Sequence, residues 1–156
     1  MNSSFPVRPF RSVAVGALLA LAIATIPAGA ATPDQAPPLA PNQARVWFLR
    51  QLLPGEQFHP PMIYVNGAPI ASIAEGTAFY RDFAPGQYAF NVENCLSQAT
   101  SGQTMTLAPN AQYALQVQQD DNGAWACSPP QVSYLRQVQP QQVPYLFSQV
   151  NYLGPR

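Results

Sequence analysis

Eighteen prolines are spread through the 156 residues of this chain, and they constrain its fold more than any other feature of the sequence. Each proline inside a helix removes a backbone hydrogen bond and clashes with the preceding turn, so a long helical bundle or a coiled coil is excluded. A length of 156 residues is enough for one domain and a tail, since a domain usually takes roughly 100 to 200 residues. The sequence therefore predicts one small domain built mainly from strands.

The charge balance excludes one class of partner. Seven arginines face seven Asp and Glu residues, there is no lysine, and only 9% of the positions are charged. A protein that binds nucleic acid by neutralising phosphates needs a basic stripe, and this chain has none. We therefore expect no nucleic-acid partner.

The first thirty residues have the three parts of a secretory signal peptide. Arg8 and Arg11 form the positive region, residues 13–26 are an apolar run, and residues 28–30 are a small-residue cleavage site. A membrane span needs about 20 apolar residues, which is more than this run supplies. No cysteine lies near the cleavage site, so no lipid anchor is expected. The sequence predicts an exported protein, periplasmic or secreted, with no transmembrane segment after cleavage.

The composition divides the rest of the chain into two parts. Residues 31–43 contain four prolines and no aromatic residue, so they cannot bury enough apolar surface to order themselves. We predict three parts in all: a cleaved signal peptide over residues 1–30, a flexible leader over residues 31–43, and a single β-sandwich domain over residues 44–156.

Two cysteines, Cys95 and Cys127, remain after the signal peptide. Export sends them to an oxidising compartment, so we predict one disulfide between them, which should contribute roughly 3 to 4 kcal/mol. A redox motif usually places its cysteines two residues apart, and a zinc site would need more ligands than the single histidine adds. The pair is therefore interpreted as structural.

The first predicted strand, residues 45–50, has apolar side chains on both faces. Val46 and Phe48 alternate with Trp47 and Leu49. A strand of this kind belongs in the interior of a sheet that is covered on both sides.

Turn signals separate the later strands. Asn66-Gly67 is typical of a type I′ hairpin, and Pro69 indicates a sheet edge in the strand that follows. Residues 141–153 fit a short helix and an edge strand equally well. The sequence predicts an all-β fold, a small β-sandwich of seven or eight short antiparallel strands, with a short C-terminal helix as one alternative. The strands predicted after the first are residues 62–65, 68–74, 77–83, 87–93, 104–107, 113–118 and 134–138.

A run of strand and turn motifs carries a resemblance to known proteins. The motifs are residues 45–50, 63–67, 70–73, 76–80 and 83–88. Together they resemble the bacterial family known as domain of unknown function 2846 (DUF2846), and more loosely transthyretin-like or prealbumin-like sandwich modules. The similarity covers residues 44–119. It implies an exported bacterial β-sandwich and brings no catalytic residues. Many such proteins have a lipidation cysteine, which this chain lacks.

No enzyme motif stands out. Nucleophile-elbow, phosphate-loop, dinucleotide-binding and zinc-protease patterns are absent. His59 is the single histidine and is interpreted as a loop residue, and residues 120–123 lack the spacing and terminal Glu of a calcium loop. We predict no catalytic residue, no metal site and no cofactor. A carboxylate pair that meets only in space, for glycoside hydrolysis, is the weaker alternative.

Three glutamines form the candidate interaction face, since Gln116, Gln118 and Gln119 offer hydrogen bonds without charge along one strand. An ordinary solvated face fits the same pattern.

Two functions stay open. The first is a non-catalytic envelope module, interacting or structural, that binds an envelope protein or the cell wall through a sheet face or edge. The second is a β-sandwich that binds a small ligand or carbohydrate.

Overall fold

The computed structural model describes residues 36–52, 60–94, 97–119 and 133–156. The predicted signal peptide, Cys95, Cys127, His59 and residues 120–123 lie outside these ranges. Nine strands are described: β1 Ala44–Arg50, β2 Met62–Val65, β3 Ala68–Ser72, β4 Thr77–Phe83, β5 Gly86–Asn94, β6 Ser97–Leu107, β7 Gln112–Gln119, β8 Ser133–Gln137 and β9 Asn151–Pro155. A 3-10 helix, Pro140–Gln142, leads into the helix α1, Val143–Phe147.

The strands form two sheets. The five-stranded sheet has the order β8-β7-β1-β4-β9, and the four-stranded sheet has the order β3-β2-β5-β6. The predicted all-β sandwich is confirmed. The described strands number nine rather than seven or eight, and β1 with β7 and β4 with β9 are parallel pairs. Hairpin signals predict antiparallel pairing of consecutive strands, and they carry no information about strands that are distant in sequence.

Strand β1 is buried along its whole length, as its two apolar faces predict. Its inner face, with Val46 and Phe48, contributes to the main core between the two sheets. Its outer face, with Trp47 and Leu49, contributes to a second apolar cluster on the other side of the five-stranded sheet. We call this the outer cluster, and its buried residues are Trp47, Leu49, Ala78, Tyr80, Ala114, Val138, Leu146, Phe147 and Val150.

The predicted hairpin at Asn66-Gly67 joins β2 and β3. Both residues have positive φ angles, 51° and 81°, as a type I′ turn requires. The Asn66 side chain also accepts a hydrogen bond from the backbone N–H of Ala89 at 2.9 Å. The turn is therefore attached to β5 as well as closing its own hairpin.

The C-terminal segment contains both structures that its sequence allowed. Pro144 lies in the first turn of α1, where a missing N–H costs no helix hydrogen bond. The helix is followed by β9, which pairs with β4 at the edge of the five-stranded sheet. Leu146 and Phe147 bury their side chains in the outer cluster. Among the residues that the structure describes, no helix is long and apolar enough to cross a membrane.

Candidate functional site

Gln116 and Gln118 of the predicted glutamine face lie on β7, on the same side as Ala114 of the outer cluster. Gln116 is only 6% exposed, and its Nε2 donates a hydrogen bond to Oε1 of Gln51 at 2.7 Å. Gln51 in turn donates to Oε1 of Gln149, which follows α1. Gln118 is half-buried, and of Gln119 only the backbone is described. Gln116 is therefore a buried hydrogen-bonding group and offers no exposed amide for a partner.

At another place on the same side of this sheet, the strand pairing gathers a polar and aromatic constellation. In the antiparallel register of β1 and β4, Arg45 lies opposite Asp82 and Trp47 lies opposite Tyr80. Strand β9 brings Tyr152 beside this group. We call Arg45, Trp47, Tyr80, Asp82 and Tyr152 the Arg45 site. Sequence reasoning did not single it out, since no local spacing connects β1 with β4 and β9.

Arg45 is only 3% exposed, and its guanidinium contacts both a carboxylate and an aromatic ring. Its Nε and Nη2 donate to the two carboxylate oxygens of Asp82 at 2.7 and 2.9 Å, a bidentate pair. Its Cζ lies 3.9 Å from the centroid of the Tyr80 ring, which is a favourable cation–π distance. The hydrogen bond with Asp82 raises the pKa of Arg45 above its ordinary value, so the guanidinium stays charged. The site therefore contains a charged arginine whose charge is balanced by Asp82.

The aromatic rings of the site pack on one another. The Trp47 ring centroid lies 5.0 Å from that of Tyr80, 5.6 Å from that of Tyr152 and 5.1 Å from that of Phe147 in α1. The indole N–H of Trp47 donates to Oε1 of Gln112 at 2.9 Å. Burial, followed by a hydrogen bond with Tyr80, raises the pKa of Tyr152 to about 12. The phenol of Tyr152 is therefore neutral at physiological pH.

The end of the leader contacts this site. The carbonyl oxygen of Pro37 accepts a hydrogen bond from Nη1 of Arg45 at 2.7 Å, and Ala36 packs against the outer cluster. Asn42 then adopts a positive φ of 60°, and its N–H donates to the side chain of Asn110 at 3.0 Å. The proline-rich composition did not predict these contacts for residues 36–43.

The edge of β6 is a second candidate site. This strand has eleven residues, and among the described strands it pairs only with β5. At Gly102 the two strands are so close that a Cβ atom would overlap the Asn91 carboxamide and the Phe90 carbonyl oxygen. Nε2 of Gln103 is buried and has no hydrogen-bond partner among the residues described. A long edge and an unmet donor therefore occur on the same strand.

The described residues also bear on metal binding. Within these ranges no three His, Cys, Asp or Glu side chains lie close enough together to hold one metal ion. The buried arginines at the two ends of β1 are each paired with a carboxylate, Arg45 with Asp82 and Arg50 with Glu75. The interactions of the described residues at the Arg45 site are hydrogen bonds, an ion pair and apolar contacts.

Comparison of the chain with protein-family models, with curated proteins and with solved structures gave no match. The resemblance to DUF2846 stays a prediction from the motifs.

Proposed function

We propose that the protein is a non-catalytic, exported domain of the bacterial cell envelope that binds another envelope protein by strand addition at the edge of β6. The observation that supports this function is the edge itself. Strand β6 is eleven residues long and contains neither a charged residue nor a proline, and its one partner among the described strands is β5. An edge strand presents unpaired backbone N–H and C=O groups that pair readily with an extended segment of another chain.

The other sheet edges have features that oppose strand addition. Strand β3 contains Pro69, and its pairing with β2 is irregular. Strands β8 and β9 have five residues each, with Arg136 in β8 and Pro155 in β9. Short length, charge, irregular pairing and proline are the usual means by which natural proteins protect their edges. Strand β6 is long and has neither charge nor proline, and the one irregularity in its pairing with β5 lies at Val92–Asn94, so the pairing over residues 102–107 is regular. Addition is therefore least opposed along residues 102–107.

The side chains of β6 indicate what kind of segment would fit. Over residues 102–107 they alternate between exposed Gly102, Thr104 and Thr106 and the more buried Gln103, Met105 and Leu107. An added strand would continue this alternation, with apolar residues beside Met105 and polar residues beside the threonines. A hydrogen-bond acceptor beside Gln103 would satisfy its buried amide, which otherwise costs free energy. The expected partner segment is therefore extended, alternating and uncharged.

In-cell photo-crosslinking tests this proposal. The chain has no lysine, so amine-reactive reagents are unsuitable and a photo-reactive residue should replace Thr104 or Thr106. Ala68 is the matched control, because it is exposed on β3 at the opposite edge of the same sheet. We expect both β6 positions to capture one recurrent envelope protein that the Ala68 position does not capture.

A second measurement makes the result specific to the edge. The captured protein, once purified, should slow hydrogen exchange of the β6 backbone amides, because strand addition engages them directly. Equal capture from Ala68, or a partner that leaves exchange in β6 unchanged, would contradict the proposal. A blank from all positions would also contradict it and would favour the small-ligand alternative.

A further inference from the structure

We infer that the Arg45 site is a docking site for an extended, proline-rich segment of a partner protein, and that the leader occupies the site until such a segment replaces it. The inference concerns the five-stranded sheet and does not rest on strand addition at β6. A proline-containing segment, residues 36–38 of the leader, already lies against the Arg45 site.

The site requires a hydrogen-bond acceptor at one position. Asp82 satisfies Nε and Nη2 of Arg45, which leaves Nη1 for the carbonyl oxygen of Pro37. With the leader in place Arg45 is only 3% exposed, so a segment that covers the site in the same way also shields Nη1 from water. A buried donor on a charged group that loses its acceptor costs free energy. An occupant that covers the site must therefore present a hydrogen-bond acceptor at the position of the Pro37 carbonyl, and a free backbone carbonyl meets this need.

Proline supplies such a carbonyl without needing to insert its ring. Pro37 and Pro38 are both exposed, whereas Ala36 is half-buried against the outer cluster. Consecutive prolines favour an extended conformation that makes no internal hydrogen bonds, so their carbonyls are free to bind a donor. Recognition therefore depends on a small apolar residue at the position of Ala36, followed by a pre-organised proline backbone.

The leader is attached more firmly after the docked residues than within them. At its downstream end, N–H of Asn42 bonds to the Asn110 side chain, and N–H of Asn110 bonds to the carbonyl of Gln43. Upstream, the contacts of the described residues 36 and 37 are one hydrogen bond from Arg45 and the packing of Ala36. The upstream residues can therefore leave while the downstream bonds stay in place, which opens the site to a segment in trans.

Covalent attachment gives the leader a high effective concentration, typically in the millimolar range for a short connection. A competing segment must overcome this advantage, so weakening the docked leader should increase the affinity for a peptide in trans. Ala36→Glu introduces a charge at the half-buried position that packs against the apolar outer cluster. Ala40→Glu adds the same charge at an exposed position of the same leader and is the matched control.

The test uses the mature chain, residues 31–156, and a synthetic peptide with the sequence of residues 31–42. Proton–nitrogen NMR follows the indole N–H of Trp47, one of only two tryptophans, which Trp125→Phe would assign. The side-chain Nε–H of Arg45 provides a second signal if that assignment variant does not fold. The control peptide carries Ala36→Glu.

We expect Ala36→Glu to shift the Trp47 and Arg45 signals and Ala40→Glu to leave them unchanged. The peptide should return the signals of the Ala36→Glu chain to their original positions and saturate. The chain with the original leader should need at least roughly tenfold more peptide, because its leader competes. Unchanged signals in the Ala36→Glu chain, or equal effects of the two peptides, would overturn the inference. Either result leaves the proposal for β6 unaffected.

Discussion

Arg45 and Asp82 lie opposite each other on β1 and β4, and both carboxylate oxygens of Asp82 accept hydrogen bonds from the same guanidinium. The arginine is almost fully buried, whereas the aspartate side chain is 29% exposed. The negative charge of Asp82 therefore balances the positive charge of the buried Arg45.

Asp82→Asn is expected to destabilise the fold. The substitution keeps the size of the side chain but removes the charge that compensates buried Arg45, so the free energy of unfolding should fall by about 1.5 to 3 kcal/mol. Urea unfolding followed by circular dichroism measures this loss. Arg81→Gln is the control, because Arg81 is an exposed neighbour on the same strand and should change stability by less than about 0.5 kcal/mol. Equal effects of the two substitutions would show that the pair is not important for stability.

Stability is expected to fall between pH 10 and pH 12. Burial raises the pKa of Tyr152 from 10.0 to about 12, so the unfolded chain loses this proton at a lower pH than the folded chain does. The stabilisation from the neutral phenol is complete below the unfolded pKa and is lost as pH rises toward the folded pKa. Denaturant unfolding across this range should therefore give a smaller decline for Tyr152→Phe than for the original chain. Tyr145→Phe, at a 65% exposed tyrosine, should keep the original decline.

Gly102→Ala is expected to disturb the pairing of β5 and β6. The added Cβ would meet the Asn91 carboxamide and the carbonyl oxygen of Phe90, and backbone atoms of a central strand cannot move aside easily. We expect a loss of about 1 to 3 kcal/mol in the free energy of unfolding, as for other overpacked positions. Thr104→Ala on the same strand removes an exposed side chain and should cost much less. An unchanged melting temperature for Gly102→Ala would contradict this description of β6.

Phe147→Ala tests whether the C-terminal helix is part of the folded unit. Phe147 is 4% exposed and packs edge-to-face on Trp47, so truncation should cost about 3 to 5 kcal/mol. Tyr145→Ala, in the same helix but exposed, should cost less than about 0.5 kcal/mol. Thermal unfolding of the two variants makes the comparison. A similar small loss in both would mean that the outer cluster contributes little to stability.

Local sequence patterns predicted the elements whose burial depends on their own residue types. The burial of β1 on both faces follows from its four consecutive apolar residues, Val46, Trp47, Phe48 and Leu49. Asn66-Gly67 can adopt the two positive φ angles that few other dipeptides tolerate, so that hairpin was also predictable.

The rest depends on contacts between distant segments. Gln116 has the sequence context of an exposed residue, and it is buried because Gln51 reaches it and the C-terminal segment lies over the same face. The Arg45 site needs β1, β4 and β9 to be neighbours, and two of the five-stranded sheet's pairings are parallel. Parallel neighbours are joined by long crossovers, which leave no short sequence signal.

Two asparagines with nearly the same positive φ, Asn42 at 60° and Asn110 at 59°, stand just before the parallel strands β1 and β7. The N–H of Asn42 bonds to the Asn110 side chain, and the N–H of Asn110 bonds to the Gln43 carbonyl. The two bonds help to fix the register between β1 and β7. A slip of one residue would exchange the inner and outer faces of either strand. A chain that began after Asn42 would lose one of these bonds, so the working boundary of the domain lies upstream of the first strand.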